Sequence, residues 1–147
     1  MVKTERSKMK LSKTDITLIG LVIAFVACMA FEFGGNYDYF FEWLIGEGDY
    51  PYVGLPSTFF TLVISWLYLI SFVLCVIFEL IHLYAYMKLF SYINLVSISV
   101  CFLVGLYGIV RYSGRSGGIL CIGTIIYLVI SIFLFFICRK KAIEYNV

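Results

Sequence analysis

The chain has 147 residues, 63% of them hydrophobic and 14% charged, with a mean hydropathy of +1.01. Soluble domains average about 45–50% apolar and about 25% charged residues, so an ordinary soluble globule is excluded and one small membrane domain is expected. The net charge of +2 conceals a segregation: nine of the eleven Lys and Arg lie in the N-terminal tail, at Lys88, or in Arg139-Lys140-Lys141.

Residues 1–13 form a basic polar tail. Thr14-Asp15 reads as a helix start, because a side-chain oxygen can cap there and a negative charge is favoured at that end. The first apolar run predicts a helix over 15–33, in which Gly20, Ala24 and Cys28 recur every fourth residue. Small residues at that spacing let another helix approach closely. The run is too long, and too apolar through Phe33, for a cleaved signal peptide.

Residues 34–56 form a loop of turn formers and aromatics carrying Asp38, Glu42, Glu47 and Asp49 without Lys or Arg. Its rings, Trp43 among them, suit a membrane–water boundary. Residues 37–45 are consistent with either a short interfacial helix or a strand. The acidic set with Trp43 is the candidate partner surface.

The longest apolar segment predicts a helix over 57–87, free of Gly and Pro. Two further helices follow, over 91–111 and 118–138, joined by a Gly/Ser-rich turn flanked by Arg111 and Arg115. That basic pair faces the acidic loop across the same outer surface. The chain ends in a short tail, 139–147. The expected fold is all-α, a four-helix transmembrane bundle. Lys and Arg are concentrated on the side that carries both tails and Lys88, so the positive-inside rule puts both termini in the cytoplasm.

Glu79 is the costliest residue to insert, since a carboxylate among apolar neighbours costs about 2.5–3.5 kcal/mol at the bilayer centre. With His82 one turn on and Asn94 on the next helix, it forms a candidate intramembrane polar cluster. Two roles fit: an interhelical clamp, with Glu79 bonded to His82 or Asn94, and a proton- or ion-handling site. The clamp is favoured, because no second carboxylate and no broken helix accompany Glu79.

Tyr145-Asn146-Val147 has the apolar-x-apolar ending that PDZ domains accept, so Tyr145 and Val147 make a PDZ scaffold a candidate partner. Cys138 beside three basic residues is a candidate palmitoylation site. The five cysteines include no CxxC pair, which argues against a zinc site or disulfide framework. With a single His and no nucleophile–base–orienter set, neither an enzyme nor a metal or cofactor site is expected. The basic residues flank helices as topology signals, so nucleic-acid binding is not expected; the partners are the lipid bilayer and other membrane proteins, in homo- or hetero-oligomers.

Four spans, a longer first outer loop, a tight inner hairpin and a short second outer loop resemble the MARVEL-domain proteins, which include myelin-and-lymphocyte-type, chemokine-like-factor and occludin-type members. Locally the resemblance rests on Tyr86-Met87-Lys88-Leu89-Phe90 leading to Ile93-Asn94-Leu95-Val96, and on Gly117-Gly118-Ile119 opening a last span that closes with Arg139-Lys140-Lys141. Claudins share the topology, but their first loop carries a Gly-Leu-Trp motif and a cysteine pair; this loop has Trp43 without either. The MARVEL resemblance implies a membrane-organising role in sorting, vesicle trafficking or cell junctions, at the plasma membrane or on vesicles. The other class open to the residues is a small channel, transporter or auxiliary subunit using Glu79 and the acidic loop.

Overall fold

A computed structural model describes residues 12–31, 39–45, 57–112 and 122–146. These form five helices: α1 (Lys13–Cys28), α2 (Phe40–Leu44), α3 (Ser57–Leu80), α4 (Tyr84–Tyr112) and α5 (Ile122–Glu144). No strand occurs among the described residues, and the protein is all-α. Among the described residues, three stretches are long and apolar enough to cross a bilayer: Leu62–Leu80, Tyr84–Leu103 and Gly123–Glu144. At ~1.5 Å per residue, α3 is roughly 36 Å long and α4 roughly 43 Å, against a hydrocarbon core of about 30 Å. The protein is thus multi-pass. In lipid a helix satisfies its own backbone, which is why the β-branched and aromatic residues of α3 hold a helix there.

α4 packs against both α3 and α5, α1 packs on α5, and α2 leans on α3. The shared centre is aromatic. Phe25 of α1 stacks on Phe72 of α3 with ring centroids 4.2 Å apart and meets Tyr127 of α5 edge-on at 5.1 Å. Phe40 of α2 is fully buried and touches Phe25, Tyr68 and Tyr127. The Tyr127 hydroxyl donates to the Phe25 carbonyl at 3.3 Å, in the last turn of α1, where helical carbonyls lack intrahelical partners.

Polar side chains also join the helices. The Asn94 amide of α4 donates to the Tyr68 carbonyl at 3.0 Å and to Ser71 Oγ at 3.2 Å. Ser131 Oγ of α5 donates to the Tyr68 hydroxyl at 3.1 Å. Such bonds hold membrane helices together where burial of apolar surface gives no drive between them.

The helix boundaries differ from the expected ones in three places. α1 stops at Cys28 instead of running to residue 33: Met29, Ala30 and Phe31 bond back only three residues, the tightening that closes a helix end. A Cβ at its Gly20 would meet no other part of the chain within 4 Å, so the small-residue stripe is not an interface inside this chain at that point. The expected helix over 57–87 is broken after Leu80. His82 adopts φ 58°, and its N–H bonds the Glu79 carbonyl while the Leu83 N–H bonds that of Phe78, at 3.1 and 2.9 Å. This is the paired bonding of a Schellman cap, with His82 in the left-handed position that glycine usually fills. Histidine is one of the few non-glycine residues enriched there. The hairpin turn is therefore Ile81–Leu83, and Lys88 already lies in α4. Finally, α5 does not end at Cys138 but continues through Arg139-Lys140-Lys141 to Glu144, where cations favour a helix C-terminus.

Candidate functional site: an ion triad at one end of the bundle

The start of α1, the end of α3 and the end of α5 converge. Ser12 caps α1: its hydroxyl accepts from the Asp15 N–H at 3.2 Å, and the Asp15 carboxylate accepts from the Ser12 N–H at 2.9 Å. This reciprocal box fixes the Asp15 side chain at the helix mouth, from which its other oxygen accepts a bond from the Lys141 ammonium at 2.8 Å. The same ammonium donates to Oε1 of Glu79. Lys141 and Glu79 are 6% and 7% exposed, a buried ion pair that Asp15, its side chain 34% exposed, joins as a second carboxylate on the same ammonium. Lys141 and the Ser12 bonds hold the Asp15 carboxyl below the usual carboxylate range.

A second polar layer adjoins it. His82 Nδ1 lies 2.9 Å from the Tyr84 hydroxyl, and the Tyr84 ring stacks on Tyr145 at 4.3 Å. The turn after α3 and the end of α5 are thereby pinned side by side. The paired charges are what permit this depth: a lone buried ion costs several kcal/mol, whereas a bonded pair recovers most of it.

The expected partners of Glu79 are not the ones it has. His82 sits in the turn and bonds Tyr84, because the left-handed cap swings it off the face that Glu79 occupies. Asn94 lies deeper, bonded to Tyr68 and Ser71. Lys141, expected in a cytoplasmic tail, is the partner instead, since α5 carries it into the bundle. Asp15, expected only as a helix start, is the third member.

Cys138 is also not the tail thiol that acylation requires. It is buried within α5 beside Cys75 of α3, because α5 runs two turns beyond it. Of the loop acids, Glu42 caps α2 by accepting from the Tyr39 N–H at 2.7 Å, so its carboxylate is engaged locally. Asp38, Glu47, Asp49, Arg115 and Val147 lie outside the described residues, and for Trp43 and Arg111 only the backbone is described. Tyr145 is exposed on its outer side but rests on Tyr84.

The sequence did carry one signal for the triad. A costly Glu79 calls for a cation, and Lys141 stands in a basic run that begins where an apolar run ends. The same run serves as a topology mark, which hides its second use.

Three comparisons bear on identity: no family model matches the chain, and neither a curated protein nor a solved structure matches it.

Proposed function

We propose that the chain is a non-enzymatic, four-span membrane protein that organises membrane or cell-contact assemblies, in the manner of MARVEL-type sorting, trafficking and junction proteins. α1 is the additional span. Its start shares the triad with the ends of α3 and α5, and its far end is stacked into the aromatic centre against Phe72 and Tyr127. The basic tails put both termini in the cytoplasm of a plasma-membrane or vesicle protein. Its partners are lipid and other membrane proteins, with a PDZ scaffold at the C-terminus.

The observation that carries this reading is the state of Glu79. Its carboxylate is locked to Lys141 and through it to Asp15, so the most costly group in the chain ties helices together. This favours a clamp over an ion relay, in which the carboxylate would have to exchange its counter-ion in each cycle. Proton and monovalent-cation flux into proteoliposomes separates the two. The organising reading expects flux equal to protein-free liposomes, together with proximity labelling of trafficking or junction proteins from the C-terminal tail. Flux that Glu79→Gln abolishes in a folded protein would establish the transport reading instead.

A further inference from the structure

α1 and α3 touch where Phe25 stacks on Phe72 and meet again at the triad, where Asp15 and Glu79 bond the same Lys141 of α5. The gap between them is a groove of about 540 Å³, within the range of small-ligand sites. Leu18, Ile19, Val22 and Ile23 of α1 and Val76 and Leu80 of α3 form its apolar walls. Its polar members are Asp15, Glu79 and His82, all at the triad end. From Asp15 to Ile23 the groove follows roughly 12 Å of helix, enough for the first part of a hydrocarbon chain whose remainder runs on into the bilayer.

The polar end specifies a head group. Two carboxylates share one ammonium, leaving a formal charge of −1. Glu79 is more than nine-tenths buried, and while its Oε1 takes the Lys141 bond, its Oε2 has no hydrogen-bond partner. A buried carboxylate oxygen left unbonded is destabilising and calls for a donor. Glu79 lines the groove, so a donor lodged there meets its carboxylate while Oε1 keeps the Lys141 bond. A hydroxyl would supply the bond but not the charge. Anionic and phosphate-bearing head groups would meet two carboxylates. An ammonium supplies both the donor and the missing positive charge.

We propose that the α1–α3 groove binds a single-chain membrane amine, its hydrocarbon chain between Leu18, Val22 and Val76 and its ammonium against Glu79 and Asp15. This adds a lipid-binding site to the organising role and does not depend on it.

The test uses the full chain in phosphatidylcholine nanodiscs with a photoactivatable long-chain primary amine, and with the matched alcohol and carboxylic acid as competitors. Saturable labelling is expected on the segments 18–23 and 76–80, displaced by unlabelled amine and not by the alcohol or acid. Glu79→Gln should weaken it by about tenfold, the share of one charge-assisted hydrogen bond. Val22→Trp fills the groove away from the triad and should abolish saturable labelling while the protein stays folded, which decides the matter if Glu79→Gln does not fold. Non-saturable labelling, displacement by the alcohol or acid as effective as by the amine, or labelling unchanged in Val22→Trp would each overturn the site.

Discussion

Replacing Lys141 by Met is the sharpest perturbation of the triad. The substitution keeps the length and apolar stem of the side chain and deletes only the ammonium. Glu79, with its side chain 9% exposed, is then an unpaired carboxylate among apolar neighbours. Breaking a buried pair from one side costs about 3–5 kcal/mol in soluble proteins. Insertion scales give about 2.5–3.5 kcal/mol for a carboxylate at the bilayer centre, and less toward the interface. A loss of about 2–4 kcal/mol is therefore expected. In a chain of this size about 1 kcal/mol moves Tm by ~2–4 °C, so Lys141→Met should melt roughly 5–15 °C lower in detergent. Lys140→Met is the control: that side chain is 67% exposed and lies 3.9 Å from Glu144 on the helix surface, a pair worth about 0.3–0.5 kcal/mol. The double variant Glu79→Leu/Lys141→Met should recover most of the loss, since buried pairs replaced by apolar residues of similar size are often neutral. Thermal melts followed by fluorescence read all four proteins. If Lys141→Met melts no lower than Lys140→Met, or the double variant is as unstable as the single, the triad does not join the helices.

Other perturbations reach the remaining contacts. Phe25→Ala removes the ring that joins α1 to α3 and α5, and should destabilise by about 3–5 kcal/mol while raising proteolysis near α1; a melt within 2 °C of wild type (roughly 1 kcal/mol or less) would contradict that role. Asn94→Leu forfeits the bonds to Tyr68 and Ser71, and because intramembrane hydrogen bonds average about 0.6 kcal/mol, its melting shift should be small, well under that of Phe25→Ala. Asp15 has a folded pKa depressed below its unfolded value, so its contribution is fully present above about pH 4 and is lost as pH falls further, when the unfolded chain takes up the proton first. Melts from pH 7 to pH 3 should show a decline below about pH 4 that Asp15→Asn flattens; an equal decline in both proteins would rule Asp15 out as its source.

Much of the fold could be read from the residues because lipid makes simple demands on them. Long apolar runs must be helices there, and α3, α4 and α5 are. The costly carboxylate was also legible, as was the need for it to have a partner. The hairpin at Ile81-His82-Leu83 was not, because neither Gly nor Pro marks it and His82 takes the left-handed conformation through a cap that only the packed helices make visible. The extension of α5 past Cys138 was hidden for a related reason. Arg139-Lys140-Lys141 looks like the end of a span, yet Lys141 is drawn inward by Asp15 and Glu79, one of them 126 residues away in sequence and the other 62. Phe40 was hidden too: nothing in its loop distinguishes a ring that plugs the aromatic centre from one that rests at the membrane surface.

The most direct measurement asks whether the three chain segments that build the triad share a membrane face. Single cysteines introduced by Lys13→Cys, Leu83→Cys and Tyr145→Cys, all at exposed positions, in a chain whose five native cysteines are replaced by Ala, can be labelled with an impermeant maleimide on sealed vesicles of known orientation. All three should react from the same side, the cytoplasmic one, and be protected from the other. Labelling of Lys13→Cys and Tyr145→Cys from opposite sides would contradict the triad and the four-span arrangement together.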